Sequence, residues 1–268
     1  MKNEKKNTLK KNINKKIMIV GNFKWFWYEE ACALALEKLG CSIYRFKFFN
    51  DFEKRLPGRS EPVYLSFWHY FQSRFIFGPI INKINDRLII FALKKKPDII
   101  WFYNVQLIKL KTIIRLKKLL PSTILAQYAN DNPFSSKARK GLWNNFLKSI
   151  HLFDIHFAYR LKNLLDFKKY GAKSTYLLRS YFIPEKDFSV NYKNIPKKFK
   201  CDVVFAGHYE DDGRIEMLEE ICRAGYKLNL YGGGWNKVLK NLSPKSPLKG
   251  KFPVYPVVKK DYRYTISG

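Results

Sequence analysis

Residues 207 to 214 read GHYEDDGR, and residues 231 to 235 read YGGGW. Each stretch ends a short apolar run, VVFA before the first and LNL before the second. A glycine at the end of a strand lets backbone approach a ligand closely. Asp211 or Asp212 can cap a helix that starts near Gly213. The free amides of a helix N-terminus favour phosphate, and Arg214 in the first turn could supply charge for a diphosphate. Glu210, Asp211 and Asp212 would repel that phosphate unless they point away, so capping is their plain explanation. Gly232, Gly233 and Gly234, with Trp235 beside them, can let backbone groups contact a base or ribose while an aromatic packs alongside. Three glycines can equally be a flexible loop.

A second set of candidates lies upstream. In QYANDNPF, residues 127 to 134, Asp131 stands where a strand should end, and Pro133 keeps Asn132 extended. A carboxylate there could act as a general base or hold a sugar hydroxyl. N-D-N-P is also strong turn chemistry, and the two readings stand level. Asn104, after PDIIWFY, is a candidate of the same positional kind. The loop after the first strand, from Gly21, carries Trp25 and Trp27, which could contact an acceptor. It lacks the G-x-G-x-x-G spacing, so no dinucleotide fingerprint is present and a structural turn is the favoured reading. Neither a nucleophile elbow nor a P-loop lysine occurs. His69, His151, His156 and His208 share no ligand spacing with Cys32, Cys41, Cys201 and Cys222, so no metal is expected.

These residues need elements to hold them. KIMIVGNF reads as a strand, WYEEACALALEKLG as an amphipathic helix and CSIYRFKFF as a strand, a βαβ opening. Helices are predicted over INDRLIIFALKKK, LIKLKTIIRLKKLLP and LKNLLDFKKYG, and strands over PDIIWFYN, TILAQYAND, HLFDIHFAYR and STYLLRSYF. Strands alternating with helices argue for a parallel, doubly wound sheet. Periodicity fails over residues 184–200, PEKDFSVNYKNIPKKFK, and the β-α-β pattern restarts at Cys201. The expected fold is α/β, with two Rossmann-like domains of which the second is incomplete. The expected bounds are a disordered basic tail over 1–15, an N-terminal domain over 16–185, a linker over 186–200 and a partial C-terminal domain over 201–268.

Composition narrows the function classes. Hydrophobic residues make up 46% of 268, enough for a real core. Aromatics reach 17%, so some of them are expected to line a cleft or interface. The formal charge is +29, from 51 Lys+Arg against 22 Asp+Glu, which attracts anions: nucleic acid, phospholipid heads, nucleotide phosphates. Much of that excess can also be simple solvation. No nucleic-acid module is recognisable, so nucleic acid is not an expected partner. The basic start has no apolar core and is no secretory signal. YLSFWHYFQSRFIFGPII, residues 64 to 81, is broken by His69, Gln72, Arg74 and Gly78-Pro79, and so fails as a membrane span; a buried or an interfacial helix fits it. Four lone cysteines suit a reducing cytosol.

The stretch CDVVFAGHYEDDGRIEMLEEICRAGYKLNLYGGGW resembles the donor-side strand-loop-helix-strand of CgeB-like glycosyltransferases, of the GT-B class. PDIIWFYN, QYANDNPF and HLFDIHFAYRLKNLLDFKKYGAKSTYLL resemble that family's N-terminal domain, in the expected order. The resemblance implies a cytoplasmic enzyme with an acceptor-binding N-domain and a nucleotide-sugar-binding C-domain. It implies transfer of a sugar to an acceptor hydroxyl, in cell-surface glycan or glycoconjugate synthesis, with no cofactor or metal. Gly207, His208 and Arg214 would flank the diphosphate. Gly232, Gly233, Gly234 and Trp235 would lie near the nucleotide. Asp131, the base if the enzyme inverts, would face a glycan, lipid or protein acceptor. The family's chain continues into a helix and an acidic ribose clamp, whereas this sequence ends at YRYTISG, which reads as a truncation. A non-catalytic remnant or partner-dependent subunit, and a basic binder of membrane surfaces or nucleic acid, are the rival readings. Peripheral contact with an anionic membrane is compatible with the enzyme reading.

Overall fold

A computed structural model describes residues 13–24, 26–54, 63–103, 105–136, 138–179, 181–184, 186–188, 197 and 200–249. Most of the basic tail and of the expected linker, Trp25, Asn104 and the YRYTISG end lie outside the described residues. The chain divides into two compact units, Met1–Ile183 and Pro184–Gly268.

The first unit is built on a six-stranded sheet. Its strands are β1 (Lys16–Gly21), β2 (Ser42–Lys47), β5 (Ile99–Tyr103), β6 (Ile124–Ala129), β7 (Ile155–Ala158) and β8 (Thr175–Leu177). They run in the order β2-β1-β5-β6-β7-β8, every neighbouring pair parallel. A two-strand antiparallel pair, β3 (Glu53–Lys54) and β4 (Val63–Tyr64), lies outside that sheet. The helices are α1 (Ala31–Lys38), α2 (Phe67–Phe75), α3 (Pro79–Lys95), α4 (Leu110–Leu119), α5 (Lys140–Ser149) and α6 (Leu161–Lys169).

Side-chain alternation sorts the core. Met18, Val20, Phe46, Ile100, Phe102 and Leu125 point to one face and pack on Ile84 and Leu88 of α3, Ile113 and Leu116 of α4, and Phe146 of α5. Ile17 and Ile19 point to the other face and pack with Ala33 of α1 and with Cys41. Strands buried on both faces read as continuous apolar runs, which is why KIMIVG carries no alternation in its sequence. The helix predicted from Ile84 begins earlier: Gly78 is its N-cap and Pro79 its first residue, where a missing N–H does no harm. The buried Gln72 adds its Oε1 as acceptor for the Ile80 N–H. Residues 64–81, where a buried or an interfacial helix fits the sequence, hold α2, capped by Ser66 through the His69 N–H. Its aromatic face is exposed, with Phe67 at 80% and Trp68 at 51%. Among the described residues no helix is long and apolar enough to cross a membrane.

Buried polar groups pin the layers. Asn85 on α3 donates to the Ile81 and Leu107 carbonyls and accepts from the Lys109 N–H and the Thr112 hydroxyl. Asp154 joins the starts of β6 and β7 to α4, accepting from Lys117 Nζ at 2.7 Å and from the Leu125 N–H at 2.9 Å. Burial pushes its carboxyl up, but hydrogen bonds from Lys117 and Leu125 with the charges of Lys117 and Lys173 outweigh that and hold it below the ordinary value.

His156 lies wholly in the core, stacked on Phe167 with centroids 4.7 Å apart. Its Nε2 donates to the Ile150 carbonyl at 2.9 Å, which leaves Nδ1 an acceptor. The Gln127 amide stands 3.0 Å away. Turned so that its NH2 faces Nδ1, the amide satisfies the ring and also its own otherwise unpaired Nε2. Burial lowers the His156 pKa from 6.5 to about 4. The unfolded chain therefore binds the proton first on acidification, and stability is lost as pH falls from about 6.5 towards 4. Over that window the wild type should lose up to about 3 kcal/mol that a His156→Gln variant does not. Urea unfolding at pH 7, 5.5 and 4 measures it.

The second unit contains β9 (Val203–Ala206) and β10 (Leu228–Tyr231), parallel and in register, with α7 (Arg214–Arg223) between them and α8 (Trp235–Asn241) after them. Leu218, Leu228, Leu230, Trp235, Leu239 and Leu248 form its core.

Candidate functional site

In the second unit, the loops after β9 and β10 are woven together at the carboxyl ends of the strands. The Gly207 N–H donates to the Tyr231 carbonyl and the Tyr209 N–H to the Gly233 carbonyl, both at 2.9 Å, so the parallel ladder runs on beyond the strands. Trp235 Nε1 donates to the Gly207 carbonyl at 2.8 Å. The Gly233 N–H donates to His208 Nδ1 at 3.1 Å. This packing explains the glycines: a Cβ on Gly232 would lie 2.1 Å from the Gly207 oxygen, and its φ of +131° is one that side chains rarely adopt. The run Gly232, Gly233, Gly234 is thus a packed seam rather than a flexible loop. Trp235 is fully buried, its ring edge-on to Phe205 and Tyr209. Its part is to position Gly207, and its ring has no exposed face to offer a base.

Two consequences concern the charged groups. His208 is exposed, and because Nδ1 accepts from Gly233, its proton sits on Nε2. That N–H is a donor with a fixed tautomer. The helix α7 has Gly213 as its N-cap, so neither Asp211 nor Asp212 occupies the capping position. Asp212 instead grips Arg214, accepting from Nε at 2.6 Å and from Nη2 at 2.5 Å. Arg214 also bonds Glu210 at 3.3 Å and the His208 carbonyl. The hydrogen bonds of Arg214 hold the Asp212 carboxyl below the ordinary range. Two of the acids that would repel a phosphate, Glu210 and Asp212, are therefore paired, and a diphosphate that recruits Arg214 must displace carboxylates already bound to it.

In the first unit, β2 lies on one side of β1 and β5 on the other, so the strand order reverses between β1 and β5. Ligands of open α/β sheets sit at the carboxyl ends of strands at such a reversal. Here a cavity of about 210 Å³ opens, lined by Asn22 after β1, Gln106 and Leu107 after β5, Tyr70, Ser73 and Arg74 of α2, and Arg139 at the start of α5. The sequence reading passed over Arg74 and Arg139. Nothing in their local spacing marks them, and only the fold gathers α2 and α5 at one edge.

Beside that cavity stands Glu29, also missed. It is 1% exposed, in a single π-type turn, Phe26–Glu30, between β1 and α1. Its Oε1 accepts from the Asn22 N–H at 3.0 Å, while Oε2 is buried without a partner among the described residues. Gly21 is needed for this, since a Cβ there would lie 2.5 Å from the Glu29 side chain. Burial raises the Glu29 pKa, against hydrogen bonds from backbone that lower it. Tyr181 donates to the Trp27 carbonyl at 2.8 Å and stands 3.5 Å from the Tyr103 hydroxyl, tying the end of β5 to this turn. Burial pushes Tyr181 up to about 12, against a lowering by the hydrogen bond with Tyr103 and with smaller rises from Cys32 and Glu29. Trp27 is half-buried, edge-on to Tyr28.

Asp131 is exposed just past β6, at the same carboxyl edge. Asn132 is half-buried and its Oδ1 accepts from the Phe134 N–H at 3.1 Å and from Asn163 Nδ2 at 2.8 Å. It thus forms the turn that N-D-N-P promised and fixes the backbone that presents Asp131.

A raised Glu29 pKa makes a sign prediction. The contribution to stability is full below the unfolded value, near 4.5, and is lost as pH rises through the folded value. Glu29→Gln should therefore be more stable than wild type at pH 7, with the difference shrinking towards pH 4.5. Paired urea melts at the two pH values measure it. A wild type that is the more stable at pH 7 would contradict the buried, unpaired carboxyl.

No family model and no curated protein matches this sequence. Among solved structures, a UDP-GlcNAc 2-epimerase from Methanocaldococcus jannaschii is similar at 16% identity and a TM-score of 0.49, over 84% of this chain and 67% of that one. A UDP-N-acetylglucosamine 2-epimerase from Rickettsia bellii is similar at 13% identity and a TM-score of 0.45, over 91% of this chain and 68% of that one. This chain thus spans about two thirds of the length of each. Identities and scores this low transfer neither an activity nor the role of any residue.

Proposed function

We propose that the chain is a glycosyltransferase that moves a sugar from a nucleotide-sugar donor to an acceptor hydroxyl, in cell-surface glycan or glycoconjugate synthesis. The observation that supports it is the seam at the carboxyl ends of β9 and β10. It presents the His208 Nε2–H beside the N-terminus of α7, at the edge of a parallel pair where phosphate ligands are favoured. A diphosphate leaving group gains charge as the sugar departs, and fixed N–H donors aimed at it stabilise that charge. In this reading His208 and the first-turn amides of α7 meet the diphosphate. Gly207, Gly232, Gly233 and Gly234 hold the two loops in register beside the nucleotide. Arg214 orders the loop and exchanges a carboxylate for phosphate when donor binds.

The acceptor belongs, in this proposal, to the carboxyl edge of the first unit. Asp131 is the exposed carboxylate there, and it would take the proton of the acceptor hydroxyl in an inverting reaction. Asn132 is the residue that holds it in place. Peripheral docking on an anionic membrane is part of the same proposal, supported by the exposed aromatics Phe67, Trp68, Phe75 and Phe77 and by the net charge of +29.

The donor half is tested by a thermal-shift screen against UDP, GDP, ADP and CMP. One nucleotide at about 100 times its Kd should raise Tm by a few degrees, and His208→Ala should abolish that rise while folding normally. A flat screen contradicts the reading. The acceptor half is tested by Asp131→Asn, which should lower kcat for transfer by about 100-fold or more and leave nucleotide binding unchanged.

A further inference from the structure

The cavity at the reversal between β1 and β5 has a composition that none of the reasoning above requires. Its lining includes two arginines, Arg74 and Arg139, and among the described residues no aspartate or glutamate. Its polar remainder is Asn22, Ser73, Gln106 and the hydroxyls of Tyr64 and Tyr70, and its apolar part is Phe48, Leu107 and Leu142. The Ser73 hydroxyl donates to the Tyr70 carbonyl at 2.8 Å and lies 3.3 Å from the Tyr64 hydroxyl. With its single proton given to Tyr70, Ser73 Oγ accepts from the Tyr64 hydroxyl, whose lone pairs stay free to accept from a ligand hydroxyl. Glu29 accepts from the backbone N–H of the lining residue Asn22, and its burial favours the neutral form.

Arginine pairs of this kind match the oxygens of phosphate, with two fork-shaped donors for one anion. At about 210 Å³ the cavity is smaller than sites that enclose a whole drug-sized ligand, ~300–1,000 Å³. It suits a head group. Tyrosine and amide donors beside an apolar wall suit a short hydroxylated carbon chain or ring.

We propose that this cavity binds the phosphate of a polyol or sugar phosphate, Arg74 and Arg139 holding the phosphate while Asn22, Gln106 and the tyrosine hydroxyls meet the hydroxyl groups. The site rests on the glycosyltransferase reading only in naming that compound the acceptor. The phosphate can come from a soluble compound or from a lipid head group.

The test is calorimetric titration of the full chain with glycerol 3-phosphate, without nucleotide, at 50 and 200 mM NaCl. Saturable binding is expected, weaker at the higher salt. Arg74→Ala and Arg139→Ala should each weaken it about tenfold or more. Arg115→Ala removes an exposed arginine paired with Asp86, outside the cavity, and should leave it unchanged. Both cavity arginines are exposed, so their variants should keep the wild-type circular dichroism and Tm. No binding, or equal weakening by all three variants, overturns the site in favour of diffuse attraction to a basic protein. Equal affinity for glycerol overturns the phosphate assignment. Vesicles of phosphatidylglycerol separate the sources: binding displaced by glycerol 3-phosphate and lost in both cavity variants assigns a lipid head group, and calorimetric binding without such displacement assigns a soluble phosphate. Because no nucleotide is present, a flat nucleotide screen with intact phosphate binding sinks only the donor reading, and the reverse pattern sinks only this one.

Discussion

The reversal of strand order between β1 and β5 is the constraint on which the first unit depends. A chain that lays β2 on one side of β1 and β5 on the other must lead its connections away in opposite directions. A crevice then opens outside the carboxyl ends of β1 and β5, which neither connection fills. The residues around that space follow from it. Gly21 lacks a side chain because Glu29 folds over it. Tyr103 and Tyr181 meet there because β5 is central and the residues after β8 return to the π-type turn. The cavity takes one arginine from α2, which follows the separate β3-β4 pair, and one from the start of α5, which follows β6 of the main sheet.

The second unit answers a different constraint with the same geometry. With only two strands among its described residues, it cannot rely on a broad sheet to hold its loops. It uses backbone contact instead. Gly207 and Gly232 approach too closely for any side chain, Trp235 ties the pair from beneath, and His208 is held by a backbone amide. Rigidity of that kind is what a site for a developing negative charge needs, since donors that must reorient lose much of their effect.

Much of this was legible in the sequence. Apolar runs ending in glycine placed β1, β9 and β10, and helical spacing placed α1, α3, α4, α6 and α7. The parallel α/β architecture followed from their alternation. The stretch 64–81 admitted a buried or an interfacial helix, and α2 lies within it with its aromatics on an exposed face. Two helices were not legible: in α5, KGLWNNFLKS has too few apolar positions to declare a period, and α8 follows directly on three glycines. The acids of GHYEDDGR were read as caps, and Arg214 won Asp212 because a bidentate ion pair outweighs a cap. Glu29 stood in plain view as one of three glutamates on an amphipathic helix. Its burial depends on a π-type turn that no spacing rule predicts.

The central claim is that a nucleotide diphosphate lies at the carboxyl ends of β9 and β10. Photo-crosslinking with an azido-UDP probe, followed by peptide mapping, addresses it most directly. Labelling within residues 207–216 and 232–236, suppressed by excess UDP, is the predicted result. Suppressible labelling confined to residues outside those two segments would contradict the account.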